Sequence, residues 1–173
     1  LVPFGEYFPV PPSVRDWRKM RNLPRSDLAA GEDIQPLLAA ANGIQFGVAI
    51  CYEDAYGAEQ LYALPAAGIL INVSNDAWFG DSIAPHQHLE IARMRSLEFG
   101  RPAIRAANTG ISAFIDADGA LLQTGKQFEP ELMTMDIQSR RGATPYVEGG
   151  NWPVLGLCFA ILGFFWIRNR ASL

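Results

Sequence analysis

A chain of 173 residues and 19.0 kDa is long enough for one sizeable core. Hydrophobic residues make up 49% and charged residues 18%, which excludes an intrinsically disordered polymer. A formal charge of -4 without any nucleic-acid-reading motif argues against DNA or RNA as a partner, and two cysteines in unlike settings argue against a disulfide framework or a C-x-x-C metal site.

The opening LVPFGEYFPVPPS holds four prolines, which forbid regular helix and most ladder positions, so an extended piece and an irregular arm are expected. Leu1 is not Met, and neither the n-region nor the h-region of a signal peptide is present. The chain therefore reads as a fragment that begins within a domain. A short helix follows in SVRDWRKMRNLPR, with Ser13 as N-cap and Val14, Trp17 and Met20 at three-residue steps. Five of the 14 basic residues fall within 11 positions here, as either a solvated face or a foot on lipid headgroups. Residues 33–41 are expected as loop with short edge structure.

From Gly43 the pattern changes. Phe46, Val48 and Ile50 alternate with Gly47, Ala49 and Cys51, so both faces are apolar or small, as in a buried strand that ends at Tyr52-Glu53-Asp54. A short helix over 56–64 stops at Pro65 and Gly68. A second buried strand over 69–73 then breaks into a polar turn at Ser74-Asn75-Asp76. Strand, helix and strand at these lengths predict a right-handed crossover. The clearest helix covers 86–99, with Leu89, Ala92, Arg93 and Ser96 on one side and a stop at Gly100-Arg101-Pro102. Residues 103–124 predict two strands joined by a hairpin turn at 116–119, and a last short strand is expected over 132–137.

Residues 152–167, WPVLGLCFAILGFFWI, carry no charge and no strongly polar group. As a helix the run covers about 24 Å, a little short of a hydrocarbon core of about 30 Å. Trp152 and Trp166 suit the two interfaces, and Arg168 and Arg170 follow at once. A transmembrane helix over 151–168 is expected, with a cytoplasmic tail at 169–173 and residues 1–150 outside the cytoplasm. A buried C-terminal helix of a soluble protein is the other reading. Cys158 within the run is read as a small hydrophobe.

Cys51 is the leading candidate for chemistry. It stands where a buried strand turns into a helix, a place where a side chain meets a crevice and backbone N–H groups are unpaired. Those N–H groups favour a thiolate and can receive an oxyanion. An inert core cysteine fits the same position. Glu53 and Asp54 disfavour a neighbouring thiolate, so Cys51 needs a base and a cation from elsewhere. Glu6, an isolated acid in the apolar setting PFGEY, is a candidate partner, while Lys19 and Lys126 belong to no local motif. His86 and His88 are two apart and cannot make the i, i+4 pair of a zinc helix, so no metal site is expected. Ser74-Asn75-Asp76 reads as a polarising group or an ordinary turn. Trp78 and Phe79 read as core or as the wall of an apolar substrate groove.

LVPFGEYFP, AICYED, INVSNDAWFGDSIAPHQHL, ARMRSLEFGRPAIRAANTGISAFID and the terminal hydrophobic helix together resemble the apolipoprotein N-acyltransferases of the nitrilase (carbon–nitrogen hydrolase) superfamily. The resemblance spans nearly the whole chain in order, and ICYE with NVSNDAWFG is its most specific part. It implies an α/β fold, an αββα nitrilase-like sandwich missing its N-terminal strands, followed by the C-terminal transmembrane helix. Residues 1–150 would be the C-terminal part of the catalytic domain, with a lid-like arm at 7–27.

By the same resemblance, Cys51 takes an acyl chain from a phospholipid as a thioester. It then passes the chain to the amino group of a diacylated N-terminal cysteine on an apolipoprotein, in two ping-pong steps. Glu6 resembles the glutamate that orients a catalytic lysine, Tyr52 and Glu53 match positions needed beside the nucleophile, and the Tyr52 amide is an oxyanion donor. Trp17, Asn75, Trp78 and Phe79 are expected to contact substrate. No cofactor is implied, a monomer is expected, and the setting is a bacterial inner membrane with the catalytic domain on the periplasmic face. The family's lysine belongs a few residues before LVPFGE and its base glutamate well before that. No residue here matches either, so the chain is expected to carry the nucleophile half of a site and not to act alone. A carbon–nitrogen hydrolase and a non-catalytic remnant are the alternatives.

Overall fold

The computed structural model describes residues 31, 32 and 34–170; Glu6, Trp17 and the arm at 7–27 lie outside them. Six strands form one mixed sheet in the order β1 to β6. Its centre is three parallel strands, β2 (Gln45–Ile50), β3 (Ile69–Asn75) and β4 (Ala103–Asn108). β1 (Leu38–Ala39) borders β2 antiparallel, and β5 (Ala113–Ile115) and β6 (Leu121–Thr124) extend the other side antiparallel. Ile50 pairs with Val73, and Asn75 with Asn108, so the C-terminal ends of the three parallel strands form one rim. Cys51 and Asp76 follow directly on that rim.

Alternation along the strands sorts the side chains by face. Ala49, Leu70, Asn72, Ala103 and Arg105 are buried beneath the long helix α2 (Ala84–Phe99). Leu70, Leu89, Ala92, Phe99, Ala103, Ile111, Ala113 and Ile115 make the core between sheet and helix. The opposite face carries Val48, Ile50, Ile71, Val73 and Ile104, all partly or largely exposed. Among the described residues, one helical layer therefore covers one face of one sheet, which is half of an αββα sandwich.

Several expected elements differ in detail. Between β2 and β3 there is no continuous helix. A 3-10 turn (Cys51–Ala55), a single α-helical turn α1 (Gly57–Gln60) and another 3-10 turn (Leu61–Ala63) follow one another. Tyr56, at φ -98 and ψ 73, breaks the helical path between the first two. β3 runs two residues further than expected, so Ser74 and Asn75 are ladder residues and the turn starts at Asp76. The helix expected at 86–99 begins at Ala84, because Pro85 fits its first turn. The region 103–124 holds three strands rather than two, since Thr109 in the left-handed region (φ 57) and Gly110 interrupt the run. Residues 132–137 form no strand. Their apolar positions meet no neighbouring ladder, Leu132 is exposed, and propensity without a pairing partner makes no sheet.

Two anchors close the core. Gly100 ends α2 at φ 61, and its N–H reaches the carbonyls of Ser96 and Leu97, as a left-handed C-terminal cap requires. Arg101, 1% exposed, donates to the carbonyls of Ala67 (2.6 Å), Gly142 (2.6 Å), Pro65 (3.1 Å), Gly100 (3.1 Å) and Phe99 (3.3 Å). Burial pulls its guanidinium below the ordinary arginine range, yet five donors in a fixed fork keep their partners. After α3 (Pro145–Gly149), capped by Thr144, the chain enters α4 (Trp152–Arg170). This helix of 19 residues is long and apolar enough to cross a membrane, and none of its apolar window is buried against the sheet.

Candidate active site

Cys51 is the first residue past β2 and adopts φ 53, the left-handed region that a side-chain-bearing residue enters at a cost of about 1–3 kcal/mol. Ile50 before it is extended, and the 3-10 turn starts at Cys51 itself, so the chain reverses sharply under the thiol. The side chain is half-buried and reduced. Glu53 secures the turn from the inside of the bend. Its carboxylate accepts the Ile50 N–H at 2.8 Å, and its carbonyl accepts from Gln60 at 2.9 Å. Tyr52 packs edge-on against Tyr56, with ring centroids 5.8 Å apart.

Beneath the turn lies a closed polar cluster. Asn72 donates to the Cys51 carbonyl at 2.9 Å, and the Nε2 atom of His88 lies 3.3 Å from the same oxygen. His88 also sits 3.1 Å from Asp54 through Nε2 and 2.9 Å from Asp76 through Nδ1. Arg105 donates to Asp76 at 2.9 Å, to Asp54 at 3.4 Å, to Asn72 at 2.6 Å and to the Ile111 carbonyl at 3.3 Å. Ser74 completes the set by donating to Asn72 at 2.6 Å. Register explains much of this: Asn72 and Arg105 are direct cross-strand partners on β3 and β4. Burial, the largest influence on His88, opposes its charge, as does Arg105. The hydrogen bond and charge of Asp54, with the hydrogen bond of Asp76, outweigh both and raise its pKa above the ordinary histidine value.

The structure brings together only part of the predicted set. Cys51, Tyr52 and Glu53 share one turn, and Asn75 ends the adjacent strand, where its side chain accepts from Ala77 at 3.2 Å and from Asn108 at 3.5 Å. Trp78 and Phe79 lie on the next 3-10 turn (Ala77–Phe79) with 86% and 47% exposure. A cleft of about 330 Å³ beside the ends of β4 and β6, walled by Asn108, Thr109, Lys126 and Phe128 among others, does not include Cys51. Lys126 pairs there with Glu129 at 3.2 Å. His86 is exposed and His88 buried, so the two point apart, as their spacing demands.

Sequence reasoning missed the cluster beneath Cys51. Asp54 was a nuisance to the thiol, His88 half of an unsuitable metal pair, and Arg105 a residue inside a strand. The available signal was Arg105 itself, a permanent charge between Ile104 and Ala106 in a buried strand, which demands carboxylates from neighbouring strand ends.

Residues 8–146 match the family model described as carbon-nitrogen hydrolase. The apolipoprotein N-acyltransferase of Methylococcus capsulatus is 48% identical over 99% of this chain and 34% of its own length. That of Haemophilus influenzae is 47% identical over 94% of this chain and 31% of its own length. The chain thus spans about a third of the length of these curated relatives. Among solved structures, an amidase from Nesterenkonia sp. AN1 superposes with TM-score 0.56 at 18% identity, covering 78% of this chain and 52% of that one. Nit3 of Saccharomyces cerevisiae, described as a nitrilase superfamily member, gives 0.50 at 21% identity over 60% and 40%. Both show likeness of fold.

Proposed function

The chain belongs to the carbon–nitrogen hydrolase family, and from that premise we propose that it carries the nucleophile of an apolipoprotein N-acyltransferase, with Cys51 as the acyl carrier. The observation that carries this reading is the Cys51 turn: a reduced cysteine at the rim of three parallel strands, held at positive φ by bonds to its own carbonyl. The identity to relatives of that name supports the choice of reaction within the family.

In the first step the Cys51 thiolate attacks an ester carbonyl of a phospholipid. The C–O bond breaks, the lysophospholipid leaves as an alcohol after taking up a proton, and a thioester remains. In the second step the amino group of a diacylated N-terminal cysteine attacks the thioester. An amide forms, the amine proton leaves and the Cys51 thiol is restored. The Tyr52 amide is the proposed oxyanion donor, Glu53 holds the turn, and Asn75, Trp78 and Phe79 line the acyl path with Trp17. Glu6 orients a lysine supplied by a longer polypeptide, since neither Lys19 nor Lys126 stands at the family position. The 173 residues alone are therefore expected to be inactive. We place α4 across a bacterial inner membrane as residues 151–168 of a monomer, with the domain of residues 1–150 and its lid-like arm 7–27 on the periplasmic face and residues 169–173 in the cytoplasm. Arg168 and Arg170 support that orientation.

The test is transfer to a diacylated lipopeptide by the full-length polypeptide, read as a mass gain of one acyl chain. Cys51→Ala is expected to reduce transfer at least about 1,000-fold; ordinary transfer by that variant contradicts the assignment. Free acid released from small amides, without transfer, favours a hydrolase of the same family instead.

A further inference from the structure

Cys51 needs something to hold it in a conformation its side chain disfavours, and the buried cluster grips it by its carbonyl. That carbonyl accepts from Asn72 at 2.9 Å and faces His88 Nε2 at 3.3 Å. The His88 ring, 5% exposed, meets acceptors on both sides: Asp76 at Nδ1, and Asp54 together with the Cys51 carbonyl at Nε2. A neutral imidazole has one nitrogen that accepts, and that nitrogen would face a carboxylate with no proton between them. Arg105 donates to the remaining oxygen of each carboxylate, at 2.9 Å for Asp76 and 3.4 Å for Asp54. Two carboxylates, one guanidinium and one imidazolium close to zero net charge in a buried space, the balance that such a space requires.

We propose that His88 is a positioning residue held as an imidazolium at neutral pH, whose Nε2–H and the Asn72 amide together clamp the Cys51 carbonyl and so aim the thiol. The inference rests on the reading of Cys51 as the nucleophile. It adds a charge-dependent support, built from α2 and the rim of the sheet, that acts through the backbone and touches no substrate. The groups facing His88 are Asp54, Asp76, Arg105, the Cys51 carbonyl and the Tyr52 ring, whose centroid lies 6.2 Å away. Asp54 and Asp76 favour the imidazolium and Arg105 opposes it, in keeping with the raised pKa. Loss of the proton at high pH would remove one of the two bonds on the Cys51 carbonyl.

Two measurements on the full-length polypeptide test this without needing acyl transfer. The first is the ring state of His88 in the wild-type protein by nitrogen-15 spectroscopy, assigned through the resonance that shifts in Asp76→Asn. Both ring nitrogens protonated at pH 7.5 is the expected result, and a single protonated nitrogen overturns the proposal. The second is the rate of Cys51 alkylation by iodoacetamide in wild type and in His88→Gln across pH 6 to 9. Wild type is expected to react about tenfold faster at the low end, the scale of a misaimed nucleophile. That advantage is expected to shrink toward one as His88 loses its proton. A ratio that stays constant over the range, or stays at one, contradicts the clamp. A protonated ring with a pH-dependent ratio, in a protein that transfers no acyl group, upholds the clamp and refutes the acyltransferase reading alone.

Discussion

Cys51 sits at φ 53 without the freedom of glycine, so its strain can be measured by substitution. Cys51→Gly and Cys51→Ala both remove the thiol, but only glycine relaxes the left-handed backbone. The glycine variant is expected to be more stable than the alanine one by about 1 kcal/mol, read from denaturation midpoints. His88 makes a second prediction at this scale. Its pKa is raised on folding, so the stability it contributes is fully present below the ordinary histidine value. That contribution is lost as pH rises through the raised value. The denaturation midpoint is expected to fall over that window in wild type, and His88→Gln is expected to remove the fall. Cys51 itself was legible as a small residue where a strand stops and polar residues begin. Its support was not, because Asp54, Asp76, His88 and Arg105 are separated by 12 to 51 positions and meet only through strand register.

At the scale of elements, the junction between α2 and β4 bears the most weight. Gly100→Ala places a Cβ at positive φ and within 3.0 Å of the Thr144 side chain, and is expected to cost about 1 kcal/mol. Arg101→Leu removes the donor from five carbonyls, in two buried and three part-buried bonds, and is expected to cost at least about 3 kcal/mol. Both are checked by thermal melting. The stop at 100–102 was readable from Gly and Pro, whereas the role of Arg101 was hidden, since carbonyls leave no trace in a sequence. β2, β3 and the long helix were legible from periodicity and punctuation. The segment at 56–64 was not, since its apolar residues satisfy a helical period while Tyr56 and Pro65 deny it a continuous ladder.

Among the described residues two apolar surfaces stand out, the second face of the sheet and the full circumference of α4. For α4 in a bilayer, Cys158 is expected to resist a water-soluble maleimide in intact membranes and to react after denaturation in detergent. Ready labelling of intact membranes would place the helix in water. Trp78→Ala with Phe79→Ala is expected to raise KM for phospholipid about tenfold while sparing a short soluble ester. Equal loss on both substrates would remove these residues from the acyl path. The run of apolar residues and its flanking Trp and Arg made α4 legible from composition alone, because an apolar run of that length needs no partner pattern to be read as a helix. The half-sandwich was legible only by resemblance, since nothing in strand patterning tells a sheet what covers its second face. The central claim, that Cys51 carries the acyl group, is tested most directly by intact mass of the full-length polypeptide after incubation with phospholipid and no acceptor. A hydroxylamine-labile adduct of one acyl chain mapping to Cys51 is the predicted result; an unmodified Cys51 in a protein that still N-acylates lipopeptide would contradict it.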